Sequence, residues 1–193
     1  MEQHENLCRA IKKLAWGYVL IHLHFNIGAL DLLPDWCGYL LFLGALPVLG
    51  QSETTTHLLK PFGILLTVWN GIFWILKCGG ISSIGYIPDL IVTIISLYFH
   101  FRLLTNIAVV AKENACPQEN SILTLRTVRT VLIALFTLPL PWEEYGLLSI
   151  LFVIINLIVV LCICSSLFSM HRYLMENPPK LTPSDSTDTS FTE

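Results

Sequence analysis

Asp89, Thr93, Ser96 and His100 follow a 4, 3, 4 spacing. On a helix turning about 100° per residue they fall within about 60° of arc and form one polar stripe. A carboxylate, two hydroxyls and an imidazole in line can hydrogen-bond a solute or pass on a proton, and histidine titrates near neutrality. A second stripe, Tyr18, His22 and Asn26, recurs every fourth residue, and Asn70 and Asn156 add amides inside other apolar runs. Such groups are costly at membrane depth and often functional. Interhelical hydrogen bonding that fixes packing is the plainer role for the same residues. His22 and His24 lie two apart, hence on different helix faces, and neither HxxxH nor CxxC occurs. No metal site and no cofactor is therefore expected.

The elements that must position these groups follow from composition. Of 193 residues 54% are apolar and 13% charged, with mean hydropathy +0.66. A soluble domain carries about 25% charged residues. The deficit excludes a soluble enzyme, a disordered chain and a secreted disulfide scaffold. A net charge of −3 supplies no basic patch, so no nucleic-acid partner is expected. The sequence predicts an all-α membrane protein with the lipid bilayer as its first partner. Candidate spans are 14–30, 36–49, 61–76, 89–111, 122–140 and 145–170, each compared with the roughly 20 residues that cross a bilayer. A polar segment 1–13 precedes this transmembrane domain, taken as 14–173. A cytoplasmic tail at 174–193, poor in apolar residues toward its end, is expected to be disordered.

Charge sets the orientation. With six transmembrane helices and both termini cytoplasmic, ten of the eleven basic residues lie inside: Arg9, Lys12, Lys13, Lys60, Arg102, Lys112, Arg126, Arg129, Arg172 and Lys180. Only Lys77 lies outside, as the positive-inside rule demands. Arg126 and Arg129 are placed at the inner interface, reached by snorkelling. Trp36, Trp74 and Trp142 fall at the outer interface, where aromatic residues gather. His22, Asn70, His100 and Asn156 then lie near mid-membrane, each about 15 Å from an interface.

Three outer turns share chemistry: Leu33-Pro34-Asp35-Trp36, Ile87-Pro88-Asp89-Leu90 and Leu140-Pro141-Trp142-Glu143-Glu144. Their prolines are 54 and 53 residues apart. The chain is built either from three helical-hairpin repeats or from three similar solutions to one problem. Asp35, Asp89, Glu143 and Glu144 suit helix starts, as N-caps or against the helix dipole. They also suit an acidic outer vestibule that concentrates cations. Gly17 and Gly28 on the first span allow close helix approach, as does a small-residue face of Cys162, Ser165 or Ser166, and Ser169 on the sixth. Cys37 and Cys78 both fall on the outer side, where a disulfide is chemically allowed; the expectation is two unpaired, buried apolar fillers.

Leu32-Leu33-Pro34-Asp35-Trp36-Cys37-Gly38-Tyr39 resembles a motif of small bacterial multi-pass membrane proteins: Leu-Pro-Asp, an aromatic, any residue, then Gly-Tyr. The resemblance covers about residues 22–50 and implies a bacterial plasma-membrane setting, with no activity attached. Size, span count and inside termini are also similar to the substrate-binding components of energy-coupling-factor vitamin transporters. Their alanine-x-x-x-alanine docking face is absent, since Ala15 is followed four positions on by Val19. The threefold rhythm is similar to that of mitochondrial carriers, whose signature needs a basic residue three after the acid. Asp35 and Asp89 lack one. No GxSxG, HExxH or histidine-box pattern occurs, and no catalytic residue set is recognisable.

The expected function is a small-solute transporter, or the solute-binding subunit of one, opening outward between the acidic turns. Asp89, Thr93, Ser96 and His100 line its path, faced by His22 and Asn26, and the acidic turns recruit a cationic or neutral solute. The alternative is a non-transporting accessory, immunity or regulatory subunit whose stripes face another membrane protein. A membrane-protein partner or a homo-oligomer is compatible with both.

Overall fold

The computed structural model describes residues 2–22, 26–27, 30–31, 34–50, 56, 58–80, 85–138 and 146–178. Six helices appear among them: α1 (Glu2–His22), α2 (Asp35–Leu49), α3 (Leu59–Cys78), α4 (Tyr86–Glu113), α5 (Glu119–Thr137) and α6 (Gly146–Glu176). A two-stranded antiparallel ladder, β1 (Asn26–Ile27) with β2 (Leu30–Asp31), sits between α1 and α2. Three helices are long and apolar enough to cross a membrane: α3 with 20 residues, α4 with 28 and α6 with 31. Their exposed surfaces suit lipid. Ile64, Leu65, Val68 and Ile72 of α3 face outward, as do Ile150, Val153, Ile154 and Ile158 of α6.

The other three helices fall short for separate reasons. The 15 residues of α2 rise about 22 Å, less than a hydrocarbon core of about 30 Å. In α5, Arg126 and Arg129 interrupt the apolar run. The first predicted span needs correction. Its helix runs from residue 2 and stops at His22, so residues 26–30 of that span include ladder, not helix. The polar segment 1–13 is helical too. Buried Cys8, Ile11, Leu14, Ala15, Tyr18 and Ile21 recur at three- and four-residue intervals and make one continuous inner face. The expected tail begins later than 174, since α6 continues to Glu176, and 179–193 lie outside the described residues.

Each helix packs on the next in the chain, and α6 packs back on α1, closing a ring; α2 also touches α4. Mostly short connections make neighbouring helices antiparallel. The end where α2, α4 and α6 begin is called the upper end below. At the lower end polar groups tie the ring. The His4 ring Nε2–H of α1 donates to the Leu174 carbonyl of α6 at 2.8 Å. Asn106 of α4 donates to Thr56 at 2.9 Å, with both residues buried. Gln118 donates to Ser169 at 2.9 Å.

Two glycines set the spacing of α1 and α2. A Cβ on Gly38 would stand 2.7 Å from the Gly17 carbonyl oxygen, and one on Gly17 would run into the Phe42 ring. Only hydrogen side chains permit this approach. The small-residue face expected on α6 does not pack inward: Cys162, Ser165 and Ser169 are exposed, and Val160, Ile163, Cys164, Leu167 and Met170 are buried instead. Larger apolar side chains bury more area there than the serines would. Cys37 and Cys78 are free thiols, but neither is the buried filler expected: Cys37 is half-buried and Cys78 is exposed.

Candidate functional site

The α4 stripe points into the ring. Ser96 lies ten residues, about 15 Å, below the start of α4 at Tyr86, and His100 one turn deeper. His100 is 1% exposed and ringed by Tyr18, Phe42, Tyr39 and Phe99. Its Nδ1 is 3.1 Å from the Tyr18 hydroxyl and its Nε2 is 3.4 Å from the Tyr39 hydroxyl. The Tyr39 hydroxyl also lies 3.1 Å from Ser96 Oγ. A neutral imidazole has one N–H and one acceptor nitrogen, so one tyrosine donates to His100 and the other accepts. Tyr39 stands between Ser96 and His100, so the imidazole is not placed as the serine's base.

His22 closes the other side. Its ring is 6.1 Å from that of His100, centroid to centroid. Nδ1 is 3.0 Å from the Tyr18 carbonyl, an acceptor only, so Nδ1 carries the proton. Nε2 then accepts from Arg129 Nη2 at 3.2 Å.

Arg129 corrects the expectation of an interfacial, snorkelling residue. It is 5% exposed and lies eight residues, about 12 Å, below the end of α5 at Thr137. Its Nε has no hydrogen-bond partner, and no carboxylate forms an ion pair with it, among the described residues. Arg126 Nε likewise has no partner among the described residues, but its guanidinium lies outside the cavity, stacks 4.3 Å from the Phe101 ring centroid, and donates from Nη1 to Thr105 Oγ at 2.9 Å. The signal for Arg129 was present in the sequence. Ile122 and Arg129, the buried residues of α5, are seven apart and share one helix face.

These groups surround a cavity of about 270 Å³ lined from five helices, including His22, Asp35, Tyr39, Asn70, Thr93, Ser96, His100 and Arg129. A second cavity of about 470 Å³ lies at the upper end between α4, α5 and α6, lined by Tyr86, Asp89, Thr93, Ile133, Phe136, Phe152 and Asn156 among others. Thr93 and Ile133 line both. Thr93 donates to the Asp89 carbonyl at 2.8 Å, and Asn70 Nδ2 to the Leu66 carbonyl at 2.7 Å. Thr93 Oγ and the Asn70 carbonyl can therefore still accept. Asn156 Oδ1 is buried with no partner among the described residues.

The expected residues thus divide. Thr93, Ser96, His100, His22 and Asn70 meet in the deep cavity, and Asp89, Thr93 and Asn156 in the upper one. Asn26 leaves the Tyr18–His22 line, because the helix ends at His22 and Asn26 pairs with Asp31 in the ladder. Asp35 and Asp89 do not share a vestibule: Asp35 lines the deep cavity and Asp89 the upper one. Neither is an N-cap. Pro34 and Gly85 hold those positions without side-chain bonds, and the acids sit in the first turns. Glu143 and Glu144 lie outside the described residues. Tyr39 was quoted in the motif but in no stripe; its signal is the i, i+4 relation to Asp35, which puts both on the cavity face. No protein family matches the chain, and no curated protein or solved structure is significantly similar to it.

Proposed function

We propose that this chain is a six-span protein of the bacterial plasma membrane, with both termini cytoplasmic, that admits a small solute from outside. It acts as a transporter or as the solute-binding subunit of one. The observation that carries this is the succession of two cavities along α4, with Thr93 and Ile133 in the lining of both. Voids near mid-membrane lined by imidazoles, hydroxyls, an amide and a guanidinium are expensive unless something polar occupies them. In this reading Asp89 and Asn156 line the entrance, and Thr93 passes the solute down to Ser96 and His100. The ring of short and long helices around the cavity suits binding at the centre of a bundle.

Thr93→Cys tests the path without knowledge of the solute. Intact cells are treated with a membrane-impermeant methanethiosulfonate, and labelling is mapped residue by residue. Labelling at position 93 from outside is expected, with the buried native Cys164 unmodified as internal reference. Labelling at 93 only after unfolding would end the proposal.

A further inference from the structure

We infer that the deep cavity binds a small, singly charged carboxylate, with Arg129 as its counter-charge. This rests on the solute-binding reading above and names its substrate class. Arginine keeps its charge in proteins, and a buried charge needs a partner. Among the described residues Arg129 has His22 alone, a neutral acceptor for one of its N–H groups. The guanidinium fork therefore retains Nε–H and further Nη–H donors on a side chain that lines the deep cavity. Such a fork matches the two oxygens of a carboxylate.

The rest of the lining agrees. Ser96 Oγ and the Tyr39 hydroxyl share one contact, so one of these two hydroxyls can turn its hydrogen to a ligand. Asp35 lines the same space and repels anions, a doubly charged one more than a singly charged one, so a monoanion is favoured over doubly charged phosphate. At about 270 Å³ the cavity is below the usual range for drug-sized ligands, so the solute is short. Ile21, Val92, Leu97 and Ile133 supply an apolar wall for its carbon end. This departs from the sequence expectation of a cationic or neutral solute, which rested on the acidic turns alone.

The test is thermal unfolding of the purified full-length protein in mild detergent, titrated with sodium propionate against sodium chloride at equal ionic strength. Inorganic phosphate forms a third arm. Propionate should raise the midpoint saturably, because a ligand that binds only the folded state stabilises it by mass action. Arg129→Lys keeps the charge but loses the fork, and should weaken the apparent affinity about tenfold, a charge-assisted hydrogen bond being worth at least that. Arg129→Gln should abolish the shift, and Arg126→Gln, away from the cavity, should preserve it. No propionate effect, an equal effect of phosphate, or an effect that survives Arg129→Gln would each overturn the inference. Labelling of Thr93→Cys separates the outcomes. A labelled path with no carboxylate effect refutes the substrate class alone, whereas an unlabelled path refutes the solute-binding reading.

Discussion

Replacing Gly38 with alanine tests how the polar cluster is held in place. Gly38 of α2 meets Gly17 of α1 where the two helices cross. A methyl at position 38 would stand 2.7 Å from the Gly17 carbonyl oxygen, whereas ordinary contact begins at 3.4 Å. It would also collide with Ile21, but that side chain can rotate and the backbone oxygen cannot. The helices must therefore part by about 0.7 Å. A gap of about 0.5–1 Å forfeits a quarter to a half of each contact's dispersion energy. The contacts loosened include those of Tyr18, Ile21, Tyr39 and Phe42, all buried. The cost should fall at about 1–3 kcal/mol, the range for overpacked cores. Gly44→Ala on the same helix is the control, since its methyl meets nothing nearer than Lys13 Nζ at 3.9 Å. It should be neutral or stabilising by about 0.5–1 kcal/mol through helix propensity. Gly17→Ala meets the Phe42 ring and, at 3.1 Å, the Gly38 carbonyl oxygen, and should also destabilise. Because either methyl opens the same seam, the double variant should cost less than the sum. Reversible unfolding in mixed micelles, followed by tryptophan fluorescence and circular dichroism, measures all four. A Gly38→Ala protein as stable as Gly44→Ala, or strictly additive losses, would refute the argument.

Two further outcomes are expected. Tyr18→Phe removes the hydroxyl that meets His100 Nδ1 and leaves a fully buried ring nitrogen without its partner. The loss should be about 1 kcal/mol by the same unfolding assay, between the membrane average of about 0.6 and the higher cost of a buried orphan; no loss would show that the contact contributes nothing. Burial pushes the Cys8 and Cys116 thiols above their ordinary range. Since the thiolate is the nucleophile, both should react with iodoacetamide far more slowly than exposed Cys78 at about pH 8. As pH rises past the ordinary thiol value the unfolded chain ionises first. The stability contributed by these two protonated thiols is therefore complete below that value and lost as pH climbs through the folded ones. Residue-resolved mass spectrometry checks the labelling, and equal rates at the three positions would sink it.

The Pro-Asp-Trp-Cys-Gly-Tyr segment shows how a legible pattern acquires meaning. Pro34, itself extended, stands at the N-cap of α2. Asp35 and Tyr39, four apart, face the deep cavity, while Gly38 turns to α1. One short motif thus sets a helix start, a helix crossing and two cavity walls. The α4 stripe was legible for the same reason. A period of 3.6 places Thr93, Ser96 and His100 on one face whatever surrounds them. Asn26 was misplaced because periodicity says nothing about where a helix stops. The apolar run continues past His22, yet Asn26 and Ile27 pair with Asp31 and Leu30 in a ladder.

What the sequence determined by itself is the solvent and the list of parts. Low charge and long apolar runs dictate membrane-compatible helices and locate α2 to α6, because both are local properties of the chain, whereas the bounds of α1 were misplaced. Tertiary structure alone decided which polar groups meet. Tyr18, Tyr39 and His100 are separated by 21 and 61 positions, and His22 and Arg129 by 107. Their contacts depend on how the ring closes and on the glycine seam that sets the spacing of α1 and α2. The fate of Arg129 illustrates the division. On a helix considered alone it could reach the interface by snorkelling, but packed against α4 its inward face leaves only the cavity and His22. A lone helix reveals the direction of a side chain relative to its neighbours on the same helix, and the surrounding helices determine whether that direction is water, lipid or a binding cavity.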